Sequence, residues 1–185
     1  MTRAAALALL AVIALAGCEA RPPAEAEGRD IVRPRLGFAV NVPEGWTFRD
    51  LYGDVVLEIN PQGPATAAGE PRQRGLDRRL AVVDVVTIDR EGIALDAWAD
   101  QAVKESQEMQ SDLAVVSRQA RRLADGRDAL EVVLRNPRNV QPLVQRMLLV
   151  MTERRAYAVL ATAPESDLPA AEPAFKKCFD SFVTW

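Results

Sequence analysis

Hydrophobic residues follow two different spacings along this chain. In several stretches after residue 36 they alternate with polar or small residues, which is typical of β-strands that bury one face. Between residues 95 and 110 the apolar positions instead recur every three or four residues, and acidic, Gln and Lys side chains fill the opposite side. This second spacing predicts an amphipathic helix of about four turns.

The alternating stretches predict seven strands. The stretch 79–89 is β-branched at nearly every position, which favours a central strand covered on both faces. Short turns at Asp125-Gly126 and at residues 153–155 are expected to join the last four strands into two antiparallel hairpins. The predicted strands cover residues 36–42, 55–60, 79–89, 113–123, 129–135, 140–152 and 156–162.

A second helix is predicted at residues 168–179, with Asp167 as its cap and Pro169 in its first turn. Three strands, a helix, four strands and a helix favour an α+β fold, in which helices flank an antiparallel sheet. We expect Trp46 and Trp98 to pack in the core. The buried sheet layers are predicted to contain Phe38, Val40, Val83, Val85, Leu130, Val132, Leu148 and Val159.

The N-terminus resembles a bacterial lipoprotein signal. Arg3 precedes an apolar stretch at residues 4–17, which is too short to span a bilayer as a helix, and the stretch ends in Leu-Ala-Gly-Cys at residues 15–18. The resemblance implies that Cys18 is lipidated, becomes the first residue after cleavage and anchors the chain in a membrane. Glu19 favours the outer membrane. The alternative is an ordinary secretory signal in which the cysteine occurs by chance.

Residues 18–34 contain few large apolar side chains and are predicted to form a flexible tether, so the folded domain is placed at 35–185. A long loop is predicted at 60–78, because prolines and glycines recur there. Arg72, Arg74, Arg78 and Arg79 make the loop a candidate contact surface for a partner. A passive insertion without a function is the alternative.

Composition excludes several kinds of chemistry. The chain has no His, so it has no Ser-His or Cys-His nucleophile and no imidazole ligand for a metal or haem. Neither a P-loop nor a serine-hydrolase motif occurs, and we predict no catalytic residue, metal or cofactor. The formal net charge of −3 gives no support for nucleic-acid binding.

Three further residues were weighed as candidate sites. Asp96 and Asp100 share a helix face and would suit a divalent cation, although solvated carboxylates are the simpler interpretation. Cys178 lies among Phe175, Phe179 and Phe182 in a predicted amphipathic stretch, which favours a buried structural cysteine over a reactive thiol. With Cys18 lipidated, the two cysteines of the chain would form no internal disulfide.

Three segments together resemble the PsbP-like and DcrB-like superfamily, which includes the Ran-binding Mog proteins. They are Gly-Phe-Ala-Val-Asn-Val-Pro-Glu-Gly-Trp at residues 37–46, the single mid-chain helix after Gly92, and the ending at 175–182 with its Ser-Phe pair. The resemblance implies an α/β/α sandwich used as a non-catalytic binding or assembly scaffold, in bacterial envelope lipoproteins among others. It supplies no catalytic constellation, and the Ran-binding and photosystem roles do not transfer.

The sequence supports two candidate functions. The first is a lipid-anchored envelope lipoprotein whose domain faces the periplasm and binds a protein partner or assists assembly. The second is an envelope protein that binds a small ligand or a lipid between its sheet and a helix. A hydrolase is a distant third, because no spacing singles out a pair of catalytic carboxylates.

Overall fold

The computed structural model describes residues 24–61, 81–90, 92–110, 112–136 and 142–185. Two helices occur in these ranges, α1 (Leu95–Met109) and α2 (Leu168–Ser181). The strands there are β1 (Ile31–Arg33), β2 (Phe38–Val40), β3 (Trp46–Asp50), β4 (Val55–Pro61), β5 (Val82–Asp89), β6 (Ala114–Arg122), β7 (Asp128–Asn136), β8 (Leu143–Met151), β9 (Arg155–Pro164) and β10 (Val183–Thr184). None of the helices in the described ranges is long and apolar enough to cross a membrane.

A seven-stranded antiparallel sheet forms the centre of the fold, in the order β3-β4-β5-β9-β8-β7-β6. Strands β6 and β7 form one predicted hairpin, and β8 and β9 form the other. Strand β5 lies inside the sheet, and Val85 is paired with Val159 of β9. The α+β prediction with an antiparallel sheet is therefore confirmed.

The two faces of this sheet have separate cores. On one face, α1 packs on β7 and β8, and Trp98 is buried against Met147 and Val132. On the other face, α2 and a second, three-stranded sheet cover Val85 and Val159. Because each face has its own cover, the molecule is a sandwich with the large sheet in the middle.

The predicted burial is correct for all but one of the eight sheet positions. Leu130 is half-buried and packs against the α1 core, whereas the other seven are fully buried. Trp98 is 1% exposed, as predicted, and Trp46 is half-buried with its ring edge-on to Phe175. The apolar spacing of residues 95–110 also puts Met109 on the apolar side of the helix, yet Met109 is exposed because it is the last residue of α1.

The three-stranded sheet has the order β1-β2-β10 and was not predicted. Strand β1 lies within the predicted tether, and Ile31 and Ala26 are buried, so the tether prediction for 18–34 is wrong from Ala24 onward. Strand β2 is shorter than the predicted 36–42, because residues 34–36 form a 3-10 turn that ends at Gly37. Strand β4 includes residues 60 and 61 of the predicted 60–78 loop, and the rest of that prediction lies outside the described residues.

Three aromatic rings join the small sheet to the large one. Phe38 of β2 lies 5.8 Å from Phe182, which follows α2, and 6.4 Å from Tyr157 of β9, measured between ring centroids. Phe182 and Tyr157 are 6.0 Å apart. The Tyr157 hydroxyl also donates a hydrogen bond to the carbonyl oxygen of Leu36 at 2.8 Å. We call Phe38, Tyr157 and Phe182 the aromatic joint.

Gly37 occupies the tightest backbone position beside the aromatic joint. Its φ is +69°, a region that other L-residues rarely adopt. A Cβ atom at this position would lie 2.8 Å from the carbonyl oxygen of Trp185 and 2.9 Å from the Tyr157 hydroxyl. A side chain at residue 37 would therefore push apart the C-terminal residue and the joint.

Replacing Gly37 with Ala should destabilise the protein by about 2 to 5 kcal/mol, because a left-handed backbone and a steric clash are both penalised. Gly45→Ala is the matched control, since Gly45 has φ +73° but no atom within 4 Å of its Cβ position. The control should lose only about 1 to 2 kcal/mol. Urea unfolding of both variants measures the difference, and equal losses would mean that the close approach at Gly37 is unimportant.

Trp98→Ala should destabilise the protein by about 3 to 5 kcal/mol, because a large buried side chain is lost. The Trp98 indole N–H donates to the carbonyl oxygen of Tyr157 at 3.2 Å, and the Arg90 guanidinium lies 5.4 Å from the ring centroid. Trp98→Phe keeps most of the packing and should lose about 1 kcal/mol with the hydrogen bond. Denaturant unfolding compares the two, and an unchanged Trp98→Ala midpoint would contradict a core role.

Candidate functional site

Charged side chains connect α2 to the β6–β8 part of the large sheet, in addition to the apolar core that these elements share. Arg146 of β8 donates hydrogen bonds to Glu131 of β7 and to Glu172 of α2. Its guanidinium also lies 5.6 Å from the centroid of the Phe179 ring. The side chains of Arg146 and Glu131 are 18% and 16% exposed, so this contact is largely shielded from water.

Arg121 of the edge strand β6 extends the same network. It donates to Glu131 at 2.8 Å and also pairs with Asp180 near the end of α2. Asp180 accepts a second bond from Lys176, one turn earlier on the helix. The Asp180 carboxylate is therefore shared between two cations.

The pKa values in the network follow from these contacts. Burial on its own raises the pKa of the Glu131 carboxyl, but hydrogen bonds from Arg146 and Arg121 outweigh burial and hold the pKa below its ordinary value. The pKa of Asp180 is lowered in the same way, since the bond from Lys176 and the charge of Arg121 exceed the effect of burial. Both carboxylates are consequently ionised at neutral pH.

An open groove of about 520 Å³ lies beside this network, between α2 and the segments that flank β1 and β2. Arg29 comes just before β1, and Asn41 comes just after β2. The C-terminal half of α2 provides the other wall. The groove is lined by Arg29, Asn41, Pro173, Lys176, Lys177, Asp180 and Ser181.

Hydrogen bonds among Asn41, Cys178 and Ser181 fix the floor of the groove. The backbone N–H of Asn41 donates to the Ser181 hydroxyl at 2.9 Å, and that hydroxyl donates to the carbonyl oxygen of Cys178 at 3.2 Å. The Cys178 thiol lies 3.8 Å from the carbonyl oxygen of Asn41. The Oδ1 atom of Asn41 accepts from the N–H of Asp30, which leaves the side-chain NH2 group as its remaining donor.

The groove carries more positive than negative charge. Three cations and one carboxylate line it, and that carboxylate, Asp180, is already paired with Lys176 and Arg121. The Nε atom of Arg29 is buried and has no hydrogen-bond partner within the described part of the chain. A buried donor that is left unpaired is costly, so a shift of the Arg29 side chain that brings its guanidinium to an acceptor in the groove would be favourable.

The structure tests some of the predicted site residues and not others. Cys18 and the arginines at 72, 74, 78 and 79 lie outside the described residues, so their roles stay predictions. Asp96 and Asp100 both pair with Arg118 of β6, at 2.7 and 2.6 Å. The Arg118 guanidinium therefore takes the place that a divalent metal ion would have. In the described ranges, no group of three or more Cys, Asp and Glu side chains is placed to hold a metal ion.

Cys178 is fully buried, as predicted. Burial raises the pKa of its thiol to about 12. The thiolate, which is the reactive form, is therefore nearly absent at neutral pH. Cys178 is a packing residue of the α2 core and contributes no nucleophile.

The groove cannot be predicted from the sequence, because Arg29 lies in the predicted tether and Asn41 lies in the predicted strand 36–42. One signal was present, because the predicted helix at 168–179 places Lys176, Lys177 and Asp180 on the side opposite Phe175 and Phe179. That polar stripe indicates an exposed helix face but does not reveal what lies next to it.

Comparisons with known proteins give a match to fold only. No protein-family model and no curated protein matches the chain. The solution structure of cyanobacterial PsbP, CyanoP, from Synechocystis sp. PCC 6803 superposes with a TM-score of 0.59 at 12% identity, over 84% of this chain and 91% of that one. The chain has the PsbP/Mog1 fold.

Two more structures share the PsbP/Mog1 fold. LpqN of Mycobacterium tuberculosis, described as involved in cell envelope biogenesis, has a TM-score of 0.56 at 12% identity and covers 79% of this chain and 82% of its own. A point mutant of Mog1 has a TM-score of 0.53 at 11% identity and covers 83% and 93%. At such low identity the fold is shared, but no functional residue can be carried over.

Glu131→Gln should lower the unfolding free energy at pH 7 by about 1 to 3 kcal/mol, because charge-assisted hydrogen bonds from two arginines are weakened. The pKa of Glu131 is lowered in the folded state, so its contribution is present above the unfolded pKa and is lost as the pH falls through the folded pKa. The variant should therefore lose less stability than wild type between about pH 5 and pH 3.

Asp128→Asn is the control for this variant. Asp128 pairs with Arg122, but the two side chains are 78% and 71% exposed, and exposed pairs add little stability. Chemical unfolding across the pH range should place the control close to wild type. A Glu131→Gln curve that parallels wild type at every pH would show that Glu131 has no part in acid sensitivity.

Proposed function

We propose that this chain is a lipoprotein of the bacterial cell envelope, anchored through acyl chains on Cys18, whose domain binds a partner or assists assembly without catalysis. The observation that carries the proposal is the Leu-Ala-Gly-Cys sequence at residues 15–18, which ends an apolar stretch that Arg3 precedes. Several acyl chains anchor a protein firmly, because each buried methylene contributes about 0.8 kcal/mol.

The shared fold supports an accessory role. LpqN is described as involved in cell envelope biogenesis, and CyanoP is a cyanobacterial PsbP. These similarities favour an envelope protein that works by binding. We place the domain on the periplasmic side of the outer membrane, on the basis of the signal and of Glu19 after the cysteine.

The distance from the anchor to the folded domain is short in this proposal. Ala24 begins a 3-10 turn, and Ala26 packs with Ala39 and Val183 on the outer side of the small sheet. Five residues lie between Cys18 and Ala24, and the six Cα-to-Cα steps of a fully extended chain span only about 20 Å. A domain held in this way would stay close to the bilayer surface.

Two contact surfaces are compatible with the proposal. A protein partner would use Arg72, Arg74, Arg78 and Arg79, which remain our proposed contact residues. The second candidate function, binding of a small ligand or a lipid, is favoured by the open, positively charged groove between β2 and α2.

Cys18→Ala should abolish incorporation of labelled fatty acid and leave the precursor uncleaved or missorted, because the acylated sulfur is lost. Metabolic labelling followed by membrane fractionation measures both effects. Cys178→Ala is the matched control, since Cys178 is the other cysteine of the chain and is buried in the core. Acyl labelling that persists in Cys18→Ala would overturn the anchor.

A further inference from the structure

We infer that the groove between β2 and α2 is a binding site for a phosphate group, with Arg29, Lys177 and the side-chain NH2 of Asn41 as its donors. The inference adds a ligand class to the proposed function, and it depends on the Cys18 anchor only where it identifies the source of the phosphate. The groove itself is defined by described residues.

The charges that face the groove leave two cations available. Lys176 is occupied by Asp180, which also receives Arg121. The nearby Asp30 carboxylate accepts the backbone N–H of Val42 at 2.8 Å. Arg29 and Lys177 have no such carboxylate partner among the described residues, so an anion entering the groove meets two cations that need not break an existing pair.

The donor set suits a phosphate oxygen better than a neutral ligand. Arg29 has a planar fork of N–H groups, and its buried Nε lacks an acceptor. Lys177 supplies a point charge on a flexible stem, and the Asn41 amide supplies neutral donors. Asn41 is held in place by its bonds to Asp30 and Ser181, so these donors do not have to be ordered first.

A purely structural role for the lysines is the competing explanation. Lys176 and Lys177 lie one turn before the C-terminal end of α2, and the last turn itself has no basic residue, so the helix dipole attracts them only weakly. The dipole also leaves unexplained the unpaired Nε of Arg29, which belongs to another part of the chain. A structural role predicts a loss of stability, and not of binding, when Lys177 is neutralised.

An anionic lipid headgroup is the favoured source of the phosphate. Arg29 lies five residues after Ala24, the first residue of the 3-10 turn, and the reach from Cys18 to Ala24 is about 20 Å. An anchored domain therefore keeps its N-terminal end near the bilayer, where basic residues gain attraction to anionic lipids. A soluble phosphate compound has the same chemistry and is the other possible source.

The test uses the full mature chain with Cys18→Ser, so that binding is independent of acylation. Co-sedimentation compares vesicles of phosphatidylglycerol with phosphatidylcholine against vesicles of phosphatidylcholine alone. Binding should require phosphatidylglycerol, and the double variant Arg29→Gln, Lys177→Gln should bind about tenfold more weakly or worse, because two cations are lost. The thermal midpoint of the variant should stay close to wild type.

The matched control is the double variant Lys104→Gln, Arg154→Gln, which removes the same charge at exposed residues that do not line the groove. It should bind nearly as well as wild type. Equal losses in both double variants would mean that net charge alone attracts the protein, and the groove site would be wrong. Failure of acyl labelling in cells would overturn the anchor while leaving this result intact.

Inorganic phosphate and glycerol phosphate distinguish the source. Either compound should shift the NMR signals of the Asn41 side-chain amide in the wild type and not in the double variant. Shifts without vesicle binding would mean that the ligand is a soluble phosphate compound and that the lipid source is wrong. No shift and no vesicle binding would overturn the site altogether.

Discussion

The packing of Phe38, Tyr157 and Phe182 is the interaction on which the rest of this structure depends. Each ring comes from a different element: Phe38 from β2, Tyr157 from the central strand β9, and Phe182 from the residue that follows α2. Together they hold the small sheet against the large one and fix the last turn of α2. The groove exists because Asn41 and Ser181 are brought together by this joint, although they are 140 residues apart in sequence.

The cover that α2 provides is apolar on one side and charged on the other. Phe175 and Phe179 pack on the core, while Glu172 and Asp180 meet arginines that rise from β8 and β6. A shielded ion-pair network contributes less net stability than well-packed apolar side chains, because the charges must first be dehydrated. The network instead fixes the orientation of α2, since Glu172 and Asp180 can pair with Arg146 and Arg121 in only one placement of the helix over the sheet.

Much of the large sheet and both helices could be predicted from the spacing of apolar residues, as the α1 bounds and seven of eight buried positions show. The small sheet could not be predicted in this way. Strands β1 and β10 have three and two residues, which are too few to show an alternation of apolar and polar side chains. Strand β3 is mostly exposed at the sheet edge, so it lacks a buried face to detect. The groove joins residues 29, 41 and 177, and no local pattern in a single sequence indicates such a contact.

Strand β10 completes a sheet whose other two strands, β1 and β2, come from the other end of the sequence. Val183 pairs with Ala39, and the N–H of Thr184 donates to the Asp125 carboxylate in the β6–β7 turn at 3.0 Å. Pairings between such distant parts of a chain form late in folding, because closing a long loop costs entropy. During synthesis, strands β1 and β2 therefore stay without their third strand until residues 183 and 184 have been added.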